Sequence, residues 1–150
     1  MATQNFQESK KIARQSFEAF EKKDYNLLEK VTDANKYRLH FPGQPTPLTY
    51  EDSVKLNKEY NTAFPDTKVT VENQIAEGDF VVTRVTFEGT HKGEFQGISP
   101  SNKKLKVSGL SMQKIENGKI TEEWSEFDAL GMMQQIGAVP ETLSHESVKS

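Results

Sequence analysis

The groups in this 150-residue sequence best suited to proton-transfer chemistry are a carboxylate, two imidazoles, a guanidinium and an indole. Asp128 ends the last extended segment. Strict alternation places it on the same side of that strand as Ile120, Glu122 and Trp124. An indole and apolar neighbours would desolvate the carboxylate, raise its pKa and make it a base for a carbon acid. The same position, directly before ALGMMQQ, also suits the N-cap of a terminal helix, so base and cap both stand as readings of Asp128. Glu122 and Glu123 fall on opposite faces, with Glu122 beside Asp128. Two nearby carboxylates would raise one pKa, whereas a solvated or cross-strand-paired Glu122 would not.

His40 precedes Phe41 and a proline-rich loop, where a side chain would point into the mouth of a cavity and donate to a carbonyl or to Asp128. The alternative is a half-buried histidine satisfied by backbone. His91, between the glycines of GTHKG, either acts on a ligand or pins a strand bend. Arg84 interrupts the apolar run VVTRVTF. It lies either on the solvent face or in the cavity as a clamp for an enolate or carboxylate. Phe41, Tyr60, Phe64, Phe95, Met112, Trp124 and Met133 are core residues that double as candidate pocket walls, suited to a flat, mostly apolar ligand. His145, near the end, is expected to be exposed.

Composition excludes other chemistries. With no cysteine there is no disulfide, thiolate nucleophile or cysteine-ligated metal, and the scattered histidines lack metal-ligand spacing. The glycines of GTHKGEFQG lie between strands and do not open a helix, so they do not form a phosphate cradle. No serine sits in a nucleophile-elbow context. No cofactor is expected. A net charge of −3 with dispersed basic residues argues against nucleic acid. The cluster Lys103, Lys104 and Lys106 reads as a solvated strand edge. No apolar run approaches a membrane span and the opening residues are polar, which leads to the expectation of a cytoplasmic protein.

The elements that must position these groups follow from periodicity. Apolar residues between Asn5 and Lys23 recur at helical spacing, and Tyr25 to Val31 forms a second helix capped by Asp24. Lys36 to Phe41 alternates as a strand, and the prolines of PGQPTPL then enforce a loop. Thr49 opens a third helix with capping-box spacing to Asp52. Its face of Tyr50, Val54, Asn57, Tyr60 and Phe64 runs to Pro65. Extended segments follow at Lys68 to Ala76, Phe80 to Gly89, Lys104 to Ile115 and Lys119 to Phe127, with a tight Asn117-Gly118 turn in the last hairpin. A short helix from Leu130 to Ile136 precedes a polar tail, SHESVKS, mobile from about residue 140. Helices first and an antiparallel meander afterwards define a single α+β domain over residues 1–150, with a concavity at the open end of a twisted sheet.

The stretch AFPDTKVTVENQIAEGDFVVTRVTFEGTHKGEFQGISPSNKKLKVSGLSMQKIENGKITEEWSEFDALGMMQQIG resembles the SnoaL-like polyketide cyclase, or ester cyclase, family. The similarity lies in the AFPD entry to the sheet, the EGD turn, GTHKGEF with a following glycine and proline, the NGKI turn, and a tryptophan followed by an aspartate and GMMQQIG. It implies the nuclear-transport-factor-2-like fold, a cone of helices on a strongly curved, mostly antiparallel sheet. It also implies cofactor-independent chemistry, in which the aspartate matching Asp128 serves as acid or base in an intramolecular aldol closure. A homodimer or higher homo-oligomer formed through the sheet is implied as well. Two functional expectations result. In one, Asp128 abstracts a proton next to the carbonyl of an apolar or aromatic small molecule while His40, His91 or Arg84 stabilises the enolate. In the other, a carrier of the same fold holds such a molecule unchanged, and this reading gains if Asp128 is a cap and Arg84 lies outside the cavity.

Overall fold

The computed structural model describes residues 5–140; His145 and the SHESVKS tail lie outside the described residues. Helix α1 (Phe6–Lys22) starts where the Asn5 side chain accepts the Glu8 N–H, and it ends where Lys23 turns left-handed. Helix α2 (Tyr25–Val31) is capped by Asp24, which accepts the Leu27 N–H at 3.0 Å. Strands β1 (Arg38–His40) and β2 (Leu48–Thr49) flank the proline loop, and α3 (Tyr50–Ala63) begins with the Thr49–Asp52 capping box. Reciprocal bonds there satisfy amides that the first helical turn otherwise leaves open.

The remaining strands are β3 (Lys68–Glu77), β4 (Phe80–Thr90), β5 (Lys104–Glu116) and β6 (Lys119–Phe127), followed by α4 (Ala129–Gln135). They form one six-stranded sheet in the order β2-β1-β6-β5-β4-β3. It is a mixed sheet, because β1 runs parallel to β6 while the other pairs are antiparallel. Strand β5 is interior, so Lys104 and Lys106 stand on the outer face of a central strand, contrary to the expected strand edge. The tight turn at Asn117 and Gly118 has φ of 52° and 75°, which this residue pair accommodates readily.

One irregularity decides the site. Lys114 pairs with Glu122 but Ile115 pairs with Ile120, so β6 carries an extra residue, Thr121, in a β-bulge. The bulge shifts parity along β6. Ile120 points into the core at one end, and beyond the bulge it is Glu123, Ser125 and Phe127 that face inward, with Glu122 and Trp124 facing outward.

The helices cover the inner face, where two apolar clusters form. One contains Ile12, Ala13, Val31, Tyr37, Leu39 and Ile120; the other contains Ala63, Phe64, Phe95, Leu105, Val107 and Met132. Burial of each large side chain contributes about 1.5–3 kcal/mol. The segment after β4 is tied to α3 by backbone. The N–H groups of Lys92 and Gly93 donate to the Ala63 carbonyl, and a Cβ on Gly93 would sit 2.2 Å from the Thr62 carbonyl oxygen.

Candidate functional site

The two clusters do not meet completely. Between them lies a cavity of about 150 Å³ whose wall draws on all four helices and on strands β1, β4, β5 and β6. Its apolar surface is chiefly aromatic. Phe41 packs against Phe127 with centroids 5.4 Å apart, and Tyr60 against Phe64 at 6.5 Å. Burial pushes the Tyr60 hydroxyl up to about 12.

Glu123 supplies the polar centre. Its Oε1 accepts the Tyr37 hydroxyl at 2.9 Å and the Gln113 side-chain amide at 3.1 Å, and its Oε2 accepts the Ser111 hydroxyl at 3.0 Å. The same Gln113 amide donates to the Ser16 hydroxyl, which itself donates to the Ala13 carbonyl. Tyr37 is held well above the usual phenol range, first by burial and then by the adjacent Glu123 charge and their hydrogen bond. Two buried polar atoms in this region, Thr32 Oγ1 and Gln113 Oε1, have no hydrogen-bond partner among the described residues. Thr32, Ser16 and Glu123 all line the cavity, so its wall carries a polar patch as well as rings.

The residues singled out from sequence separate into three groups. Phe41, Tyr60 and Phe64 line the cavity. Phe95 is fully buried behind Tyr60 and Phe64, and Met133 packs on the same cluster. A second group stands on the outer face of the sheet. His40 pairs with Trp124 in register and stacks on it at 5.0 Å with ring planes 4° apart, while its Nε2 meets Glu122 Oε2 at 2.6 Å. Met112 pairs with Trp124, and Arg84 is exposed, donating to Asn73 Oδ1. These positions correct the expectation that His40, Glu122, Trp124 and Met112 face the cavity, and of the two places open to Arg84 they select the solvent face. The physical reason is parity: the bulge at Thr121 turns Glu122 and Trp124 outward, and the parallel pairing of β1 carries His40 with them.

Asp128 is the N-cap of α4. Its Oδ1 accepts the Gly131 N–H at 2.8 Å, and the residue is exposed and outside the cavity lining, although Phe127 beside it and Met132 one turn on both line it. Gly131 is required by this cap, because a Cβ there would fall 2.1 Å from Asp128 Oδ2. Asp128 thus sits at the rim and not inside, as the alternation had placed it. His91 is fully buried and outside the lining. Its Nδ1 accepts the Ser101 N–H at 3.2 Å, its backbone pairs with Asn102 and Lys103, and its ring lies 5.5 Å from that of Phe64. It closes the 91–103 loop.

Sequence reasoning placed Glu123 on the face away from Asp128, which the cavity lining corrects, and passed over Tyr37, Gln113 and Ser111. A signal for the last two was present. Leu105, Val107 and Ile115 mark the buried parity of β5, and Ser111 and Gln113 are polar residues at that same parity.

Helices laid on the inner face of a mixed six-stranded sheet, with a ring-rich cavity between them, define the nuclear-transport-factor-2-like class, which includes the ketosteroid isomerase-like fold. A Catenulispora acidiphila protein of ketosteroid isomerase-like fold superposes with a TM-score of 0.70 at 16% identity, over 84% of this chain and 92% of that one. The family model of the SnoaL-like polyketide cyclases matches residues 10–136, and the chain belongs to that family. IdmH of Streptomyces antibioticus, a proposed polyketide cyclase, is 28% identical over 86% of this chain and 98% of its own, with a TM-score of 0.78. AclR of Streptomyces galilaeus, a proposed hydroxylase, is 24% identical over 97% of this chain and 92% of its own, with a TM-score of 0.84. Comparison with curated proteins gives no match. Family and fold together support a cyclase or isomerase type of function. No helix among the described residues is long and apolar enough to cross a membrane.

Proposed function

We propose that the protein is a cofactor-independent cyclase or isomerase acting on a compact, largely apolar molecule with an activated carbonyl, with proton transfer assigned to a carboxylate of the cavity. The observation that carries this reading is Glu123, a carboxylate fixed by three neutral donors on a wall rich in aromatic rings. Fixed donors orient it without neutralising it, as a general base requires. Tyr60, Asn57 and Ser53 also line the cavity, and their polar groups are candidate donors to the enolate oxygen. Asp128, at the rim, is the alternative base and would have to leave its cap on Gly131 to act.

The test is solvent deuterium exchange next to the carbonyl of small cyclic ketones, followed by proton NMR in heavy water. Wild-type protein should catalyse exchange, Glu123→Gln should lose it, and Asp128→Asn should keep it. The reverse pattern would transfer the role to Asp128.

A second reading, a carrier of such a molecule, is favoured by the capping of Asp128 and by the position of Arg84 outside the cavity. Binding of the ketones with no exchange in the wild type would select it. The outer face also supports a homodimer. Ile75, Val82, Met112, Trp124 and His40 fall on one register line across five strands, and Ile75 is 69% exposed.

A further inference from the structure

The cavity wall has a definite sign of charge. Its charged lining residues, among those described, are Glu123 and Glu88, and no lysine, arginine or histidine contributes to it. Glu88 lies in register between Lys68 and Lys106 on the neighbouring strands, so cations stand next to it. Glu123 differs. Its partners are a phenol, an amide and a hydroxyl, all neutral, and no salt bridge reaches it among the described residues. Neutral donors satisfy oxygen lone pairs but leave the net charge uncompensated, and the rings around it supply little solvation.

Aromatic faces add to the same preference, because the ring quadrupole presents negative potential to whatever lies above it. Tyr37, Phe41, Tyr60, Phe64 and Phe127 surround the space that Glu123 borders. The unpartnered acceptor Gln113 Oε1 lies on the side chain whose amide holds Glu123. The cavity volume is comparable to one that admits a benzene ring, which limits the occupant to a compact molecule.

From this geometry we propose that the ligand is an organic cation, a protonated amine carried on a small apolar or aromatic body, seated with its nitrogen against Glu123 and its body on the rings. The proposal rests on the reading of this cavity as the ligand site and narrows its substrate class. It also answers a chemical need. Proton abstraction next to a carbonyl moves a proton from carbon to the carboxylate and leaves the electron pair on the enolate oxygen. Once the proton has moved, Glu123 is neutral and the substrate's own positive charge balances the enolate, alongside the polar groups of Tyr60, Asn57 and Ser53.

The experiment compares three probes of similar shape on unaltered protein at pH 7: benzylamine, benzyl alcohol and benzoate, by titration calorimetry and NMR shift mapping. Benzylamine should bind at least about tenfold more tightly than benzyl alcohol, with shifts centred on Glu123 and Tyr37, and benzoate should not bind. In Glu123→Gln the preference for the amine should fall to within about threefold. Equal affinity for amine and alcohol, preference for benzoate, or amine shifts confined to the outer surface would overturn the proposal and leave the cavity reading intact. No binding by any of the three would overturn both.

Discussion

Tyr37 donates its hydroxyl to Oε1 of Glu123 across 2.9 Å, joining the residue just before β1 to the carboxylate that faces the cavity from β6. The parallel pairing that sets Leu39 opposite Glu123 brings the two together although they are 86 positions apart in the chain. Tyr37→Phe should therefore lower stability by about 1–3 kcal/mol in urea denaturation, the usual cost of stripping a partner from a buried polar group. Combined with Glu123→Ala, the losses should not add, because both substitutions remove the same bond.

Alkaline pH should weaken the fold through the same residues. Tyr37 and Tyr60 both have raised folded pKa values, by burial first, with Tyr60 reaching about 12. A group whose folded pKa is raised contributes stability that is fully present below its unfolded value near 10 and is lost as pH climbs through the folded value. Chemical denaturation between pH 9 and 12 should show stability constant at first and falling above pH 10. Tyr60→Phe should remove up to about 1.4 kcal/mol per pH unit from that slope. An unchanged slope in Tyr60→Phe would refute the assignment.

The cap at α4 makes a prediction about order of substitution. Asp128→Ala should cost about 0.5–2 kcal/mol by freeing the Gly131 N–H. Gly131→Ala alone should also destabilise, since its Cβ collides with the Asp128 carboxylate. In an Asp128→Ala background the same change should be neutral or favourable by up to about 1 kcal/mol, because alanine is the better helix former. Thermal melts of the four proteins check this cycle.

On the outer face, Met112→Glu or Trp124→Glu should yield a monomer by light scattering, with circular dichroism unchanged. Each puts a charge on the apolar register line without touching the cavity. A monomeric wild type would remove the basis for the dimer.

Local chemistry was legible in the sequence wherever neighbours along the chain determine the outcome. The Asp24 cap, the Thr49–Asp52 box, the stop at Pro65 and the Asn117-Gly118 hairpin all depend on residues a few positions apart, and each forms where its pattern places it. The curved sheet with helices on its inner face was legible too, through the order of helices and strands and the family resemblance. The site was only partly legible. Phe41, Tyr60 and Phe64 were found because aromatic residues mark burial on their own. Glu123 was not, because its direction depends on a bulge that leaves no mark in the composition of KITEEWSEF, and because its partners come from distant strands. His40 was misplaced for a related reason: a three-residue strand has no pattern that reveals parallel pairing with the last one.

Thr121, the extra residue in β6, also has an evolutionary consequence. Ile120 and Thr121 are both buried, so the surplus residue alters the counting along β6 but not the pairing of Glu123 with Gln113. Deleting it, with the hairpin held in place, would leave Ile115 on Ile120 and Lys114 on Glu122 in plain alternation, and Glu123, Ser125 and Phe127 would still face the cavity. The bulge is therefore a length buffer: a relative one residue shorter at this point can keep the same wall, whereas a chain that loses a residue beyond Glu122 has no surplus left to absorb the loss without turning the strand over.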